Sequence, residues 1–337
     1  MTTSAPTTNY SDPMTAPAIR WGVLAPGYIA RRFVREIPQF TTSTITAVGS
    51  RDLGRAERLI MESLEFCPGA KAYGSYEELV ADPNVDAIYI ASPHSHHHDH
   101  ALLALRAGKP VLVEKAFTIN AQQATVVFDQ ARSRNLFAME AMWSRFLPHY
   151  DVMRQMVRAD WLGELTSIVG VHSQALDLSP EKRLANPALA GGALLDLAIY
   201  PLSLLHWLWG VPDRVEAVGV LTATGVDLRE SVTCWYGDHL GVAYADMGSA
   251  GKSSLQVVGA KGRIDIDDYF YIPNNLIFTP VDGEPEVIET FVEGGFQYQA
   301  AEAARCISAG KLESEIMSWQ ATVEVLDITD AARAQLS

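Results

Sequence analysis

The chain has 337 residues, 48% of them hydrophobic and 20% charged, which is an ordinary globular composition with material for about two domains. Its 40 acidic residues against 26 Lys and Arg give a net charge of −14, a field that repels nucleic acid and anionic membrane surfaces while leaving room for a small anion held by local donors. Cys67, Cys234 and Cys306 are odd in number, far apart and without C-x-x-C spacing, so neither a disulfide framework nor a structural zinc site is expected, and a reducing cytoplasm fits.

Residues 1–17 are polar and rich in Thr and Pro, with no basic start and no apolar stretch; they read as a disordered tail and not as a signal peptide. The apolar runs, such as that around Leu202–Trp209, read as too short to span a bilayer, so no membrane partner is expected. From Ile19 to about Ala141, short apolar β runs alternate with amphipathic helical segments. That alternation is the mark of βαβ units and a parallel, doubly wound sheet, a Rossmann dinucleotide-binding domain spanning 18–141. Ser75 with Glu78 predicts a capping box, and Gly108 predicts the stop of the helix before it.

After about Pro148 the pattern changes. One strongly apolar helix is predicted over Gly192–Trp209, followed by RVEAVGVLTAT, ESVTCWY, GVAYADM, SSLQVVG and GRIDIDD, strand-like runs separated by turns. Strands in succession predict an α+β domain over 142–337, built on a large, mostly antiparallel open sheet. Two C-terminal helices, about Tyr298–Ser308 and Met317–Ala334, are expected to pack back on the first domain.

Candidate site residues fall at strand ends. Ala25-Pro26-Gly27-Tyr28-Ile29-Ala30 lies between the first strand and helix, where a dinucleotide turn needs small residues and exposed helix N–H groups. Ala25 replaces the first glycine of that turn, so the motif alone is also compatible with a plain strand–helix turn. After the second strand stand Ser50, Arg51 and, one helical turn on, Arg55. Hydroxyls and cations there suit the 2′-phosphate of NADP, whereas NAD uses an acidic residue on the ribose, a role still open to Asp52.

Five of the nine histidines crowd Ser92-Pro93-His94-Ser95-His96-His97-His98-Asp99-His100. No acidic or Cys cluster accompanies them, so no metal is expected, and a strand end favours one or two facing a ligand. Glu114-Lys115 ends another buried strand, and an ammonium there is costly unless it has work to do. Asp196 and Tyr200, four apart on the apolar helix, are expected on one face, with Lys115 a candidate partner for the carboxylate; a plain Asp–Tyr core pair is the alternative.

Taken together, the Gly27 turn, Glu114-Lys115, Gly191-Gly192-x-x-x-Asp196-x-x-x-Tyr200 and the late Glu313-Ser314 resemble the glucose-fructose oxidoreductase / inositol dehydrogenase / rhizopine-catabolism family of NAD(P)-dependent oxidoreductases. The resemblance runs from Ile19 onward. It is strongest to the dimeric dihydrodiol dehydrogenase and sugar dehydrogenase members, through His94-x-x-His97, the run Leu136–Phe146, Tyr200 where many members carry histidine, and Arg51 with Arg55. It implies hydride transfer between NADP (or NAD) and a carbinol or carbonyl of a sugar, cyclic polyol or trans-dihydrodiol. Lys115 would hydrogen-bond the reacting oxygen, Tyr200 would be the acid/base, and Asp196 would orient substrate or lysine. His94, His97 and Trp143 would line the pocket, with Arg145, His172 and Arg183 as further substrate contacts and a homodimer as the assembly. Ala25, and Ala116 where members usually carry proline, depart from the pattern without removing a functional side chain. A non-catalytic NADP-binding sensor and an NAD-assisted glycoside hydrolase are the competing readings.

Overall fold

The alternating runs of the first half fold as their periodicity predicts. In the computed structural model, which describes residues 5–336, they form β1 (Arg20–Leu24), α1 (Tyr28–Phe40), β2 (Thr44–Gly49), α2 (Leu53–Glu62), β3 (Lys71–Tyr73), α3 (Tyr76–Ala81), β4 (Ala87–Ile90), α4 (His94–Arg106), β5 (Val111–Glu114), α5 (Ala121–Arg134) and β6 (Ala138–Ala141). All six strands are parallel, in the order β3-β2-β1-β4-β5-β6. The helix ends are set by local chemistry. Ser75 Oγ accepts from Glu78 N at 3.2 Å to start α3, Asn120 does the same for α5 through Gln123 N at 2.9 Å, and left-handed Asn135 ends α5. The core under the sheet stacks Phe33 on Tyr89 at 3.8 Å, with Trp21 edge-on to Phe33.

The chain divides into two compact units. The first comprises residues 11–143 and 294–323, so the stretch that includes α8 (Phe296–Ser308) returns to the parallel-sheet unit. There Phe296 N donates to Glu36 at 3.0 Å, and the indole of Trp319 donates to Ala138 O at 2.8 Å from the first residue of α9 (Trp319–Arg333).

The second unit comprises residues 5–10, 144–293 and 324–336. Its sheet has eight strands: β7 (Leu165–Ser173), β8 (Arg214–Leu221), β9 (Asp227–Tyr236), β10 (His239–Asp246), β11 (Ser254–Gly259), β12 (Gly262–Ile266), β13 (Leu276–Pro280) and β14 (Glu286–Ile288). The order is β14-β13-β12-β11-β7-β10-β9-β8, and only the β7–β10 pair is parallel. α6 (Pro148–Arg158) precedes the sheet, and the apolar helix packs on it.

Three expectations are corrected here. That helix is not α-helical throughout: Leu194–Ala198 forms a π-helical turn before α7 (Ile199–Trp209). The helical run Pro187–Trp209 is long and apolar enough to cross a membrane by length and composition, yet 72% of its apolar window is buried in the protein, as a core helix is. The tail read as disordered is tied down over its described part. Asp151 accepts from Thr8 Oγ1 at 3.0 Å and from Asn9 N at 2.6 Å, the Tyr10 hydroxyl donates to Arg145 O at 2.7 Å, and Arg305 donates to Asp12 O at 2.8 Å. Composition marks such a segment as unable to build a core, but a buried carboxylate elsewhere in the chain supplies acceptors that hold it. Residues 1–4 lie outside the described residues.

Candidate active site

In the first unit the strand–helix turn places Gly27 at the N-terminus of α1. Ala25 adopts φ +72°, the left-handed backbone for which the missing glycine would be suited, at a cost of about 1 kcal/mol. Gly27 caps α1 without any side-chain hydrogen bond, and a Cβ added to it would meet only Ala91 O, at 3.8 Å. The protein itself therefore has room for a side chain at 27; what the glycine preserves is close approach to the first-turn amides around Tyr28 and Ile29, with the Tyr28 ring 87% exposed.

At the end of β2, Ser50 is buried and its Oγ accepts from Asp52 N at 3.2 Å, while Arg51 and Arg55 are exposed. Asp52, left open above as a ribose acceptor, caps α2 by accepting from Gly54 N at 3.0 Å.

The histidines do structural work at the end of β4. His94 Nε2 lies 3.2 Å from Lys115 O. His97 is fully buried, with Nδ1 2.8 Å from Ala116 O and Nε2 2.7 Å from Ser92 O. These two, expected to line the pocket, clamp the backbone that carries Lys115 to the Ser92-Pro93 loop; their spacing on α4 aims both at the β5 end. Among the described residues no three His, Cys, Asp or Glu side chains are grouped to hold a metal ion. Lys115 is half-buried and its peptide to Ala116 is cis. Glu114 is buried beneath it, receives the Tyr89 hydroxyl, and is pushed up by burial to about 7. The Arg32 guanidinium lies 4.4 Å over the ring of Trp143, and Phe296 meets that ring edge-on at 4.8 Å.

In the second unit the π turn carries Asp196, and α7 carries Tyr200. The 3.6-residue period behind the one-face expectation does not run across that boundary. Asp196 pairs with Arg183 at 3.1 Å. Tyr200 is buried in an aromatic cluster, 5.4 Å from the ring of His172 and 5.0 Å from that of Tyr271, which in turn stack on each other at 4.2 Å. His172 Nδ1 faces Leu197 O at 3.1 Å, so Nδ1 carries the proton and Nε2 accepts from the Gln174 amide at 3.0 Å; that amide also reaches the Tyr271 hydroxyl. His172 is thus a brace between β7 and the π turn. Arg145 is likewise internal, donating to Ser203 Oγ and Ser203 O, both at 2.7 Å, to anchor α7. Gln174 and Tyr271 escaped the sequence reading. Their one signal is the aromatic triplet Tyr269-Phe270-Tyr271 in a turn whose residues Asp268 and Tyr269 have positive φ.

The start of the π turn rests on Asp227, whose Oδ2 accepts from Leu194 N at 2.5 Å. Nearby on β9, Glu230 is buried beside Asp227 and Asp246, and burial first, then these two carboxylates, holds it well above its ordinary 4.5. A carboxyl whose folded pKa is raised adds stability below its unfolded pKa and loses it as pH rises towards the folded value. Glu230→Gln is therefore expected to raise Tm over the wild type by an amount that grows from pH 5 to pH 8, to roughly 2–4 °C. Melting curves with a pH-independent difference would contradict this.

Comparison with known proteins agrees with the fold. A family model described as oxidoreductase family, NAD-binding Rossmann fold (GFO_IDH_MocA) matches residues 19–142, and the GFO/IDH/MocA C-terminal domain matches residues 150–265. D-xylose 1-dehydrogenase (NADP(+)) of Hypocrea jecorina is 32% identical over 94% of this chain and 92% of its own. Trans-1,2-dihydrobenzene-1,2-diol dehydrogenase of Mus musculus is 36% identical over 94% and 96%. KijD10, a 3-ketoreductase from Actinomadura kijaniata solved with NADP and TDP-benzene, shares the fold, with a TM-score of 0.83 over 95% of this chain and 98% of its own at 23% identity.

Proposed function

The chain belongs to the GFO/IDH/MocA family of oxidoreductases, and from that premise we propose that it transfers a hydride between NADP and a carbinol or carbonyl of a sugar, cyclic polyol or trans-dihydrodiol, with Lys115 and Tyr200 as the acid/base pair. The turn at Gly27, open where a Cβ would find only Ala91 O at 3.8 Å, is the observation that carries the cofactor half of this reading. The amides of Tyr28 and Ile29 would receive the pyrophosphate, Ser50, Arg51 and Arg55 the 2′-phosphate, and Ser92, Pro93 and Glu114 would flank the dinucleotide. When bound, the nicotinamide supplies or accepts the hydride. Loss of hydride from a carbinol also requires loss of its O–H proton, and a phenol with an ordinary pKa of about 10 takes that proton at neutral pH only with a cation beside it. Lys115 is assigned that task and Tyr200 the transfer, with Asp196 and Arg183 orienting substrate hydroxyls.

A panel of sugars, polyols and dihydrodiols followed by reduced-nicotinamide absorbance with each cofactor tests the reading; turnover of none of them sinks it. Arg51→Ala is expected to raise KM for NADP by about tenfold or more while leaving KM for NAD within about twofold, since a charge-assisted phosphate contact is worth ~1.5–3 kcal/mol. Equal effects on both cofactors would remove the 2′-phosphate assignment.

The sheet of the second unit presents Val218, Val220 and Val169 to solvent, at 72%, 54% and 36% exposure. Exposed apolar residues on a broad sheet suit a self-complementary contact, so the assembly proposed is a cytoplasmic homodimer. Light scattering that returns the 36.8 kDa monomer mass at micromolar concentration would overturn the dimer.

A further inference from the structure

Beside Tyr200, the hydrogen bonds that lead from Leu197 to Gln174 run in one direction. Leu197 O can only accept, so the His172 proton facing it at 3.1 Å is on Nδ1, and Nε2 is left as an acceptor. The group 3.0 Å from Nε2 must then donate, which makes it the amide nitrogen of Gln174 and fixes which way round that amide stands. The same nitrogen also donates to the Tyr271 hydroxyl, and the ring of Tyr271 lies 5.0 Å from that of Tyr200. A primary amide has two N–H donors and one carbonyl acceptor, and both donors are now committed. The acceptor, Gln174 Oε1, has no hydrogen-bond partner among the described residues and is not sealed from solvent. Its backbone is fixed as well. Gln174 directly follows β7, and its N donates to Asp246 O at 2.9 Å, which carries the pairing with β10 past the strand end.

We propose that Gln174 determines specificity: its Oε1 accepts a hydrogen bond from a substrate hydroxyl other than the reacting one, and so selects polyhydroxylated substrates over simple carbinols and carbonyls. The inference rests on the hydride-transfer reading made above and deepens it. A brace between His172 and Tyr271 uses the amide nitrogen alone, and the oxygen has no part in it. Turning the amide over would set Oε1 against His172 Nε2, two acceptors face to face, so the open position keeps an acceptor and not a donor. Such an oxygen tells a hydroxyl from a C–H. The hydroxyl pairs with it, whereas a methylene in the same place displaces water from it and offers nothing in return. Two fixed partners also hold the side chain before any ligand arrives, which lowers the rotamer entropy lost on binding. Tyr271 links Gln174 to Tyr200, so the hydroxyl read in this way is displaced from the carbinol that Tyr200 serves.

The test pairs one substitution in the full chain with one in the substrate. The sugar, polyol or dihydrodiol of the panel above that the wild type turns over best is set against its monodeoxy analogues, each lacking one hydroxyl other than the reacting one. The wild type is expected to disfavour one analogue by about tenfold or more in kcat/KM. In Gln174→Met, equal in length but without donor or acceptor, that factor is expected to fall to within about twofold, with discrimination against the other analogues unchanged. Gln174→Asn, which withdraws the amide by one methylene, is expected to lose the same factor and decides the matter should the Met variant be inactive. A ratio of two kcat/KM values does not depend on the fraction of enzyme folded, so loss of stability cannot imitate the result. Equal loss towards the parent and every analogue overturns the inference, since that is what a brace alone would give. A wild type indifferent to every deoxygenation, or variants that keep its preference, overturns it too and leaves the hydride-transfer reading standing. A wild type that turns over nothing in the panel sinks that reading, and the inference with it.

Discussion

Tyr200→Phe is expected to lower kcat by two to four orders of magnitude and to leave the Kd of NADP within about twofold of the wild type. The range is that of a positioned acid/base. The substitution is gentle on the fold: the ring keeps its place between His172 at 5.4 Å and Tyr271 at 5.0 Å, so what is lost is the hydroxyl alone. Lys115→Ala should give a loss of similar size with a different signature. On the assignment proposed above, removing the ammonium leaves the phenol without its assisting cation, so part of the rate returns as pH is raised towards 10, where a phenol ionises unaided. Tyr200→Phe shows no such recovery at any pH. Steady-state rates from pH 6 to pH 10, with NADP binding followed separately by fluorescence, distinguish the two. Wild-type turnover in either variant, or identical pH profiles in both, would end the acid/base assignment.

The parts of this architecture that were legible in the sequence are those that local periodicity encodes. AIYIA and VLVE read as strands buried on both faces because every residue is apolar up to the strand end, and the residues directly after them, Ser92 and Lys115, stand where a parallel sheet presents ligands. The π turn was not legible. One extra residue in a helical turn leaves an apolar run looking like any other, and the carboxylate that receives its first amide, Asp227, lies on a strand more than thirty positions later. Contacts within the protein that the sequence did not reveal share one physical origin. Arg145, His172, His97 and Trp143 carry polar or aromatic groups near recognisable motifs, and a polar group in such a place can face a ligand or be satisfied within the protein with equal economy of sequence. Here Ser203, Leu197, Ala116 and Arg32 contact them, and none of these partners is adjacent in sequence. Tyr271 shows the converse: it joins the Tyr200 cluster from the turn between β12 and β13, seventy residues away.

The same dependence on distant partners gives the second large effect, which falls on Gly192. Its φ of +118° is outside the range L side chains adopt, and a Cβ there would lie 2.2 Å from Asp227 Oδ1. Relief by moving Asp227 is blocked, because that carboxylate is the acceptor for Leu194 N at the start of the π turn. Gly192→Ala therefore combines backbone strain of about 1–3 kcal/mol with overpacking of about 1–3 kcal/mol, a sum that is a large share of the stability of an ordinary domain. At roughly 2–4 °C per kcal/mol the expected fall in Tm is on the order of 10 °C. Activity should fall further than stability alone dictates, because the segment displaced is the one that leads into Asp196 and Tyr200, and a shift of about 1 Å in a reacting group can cost a hundredfold in rate. The measurement is kcat at a temperature well below the variant's own Tm, where the protein is fully folded. If the folded variant turns over at the wild-type rate, the coupling from Asp227 through the π turn to Tyr200 does not exist, and Asp227 serves stability only.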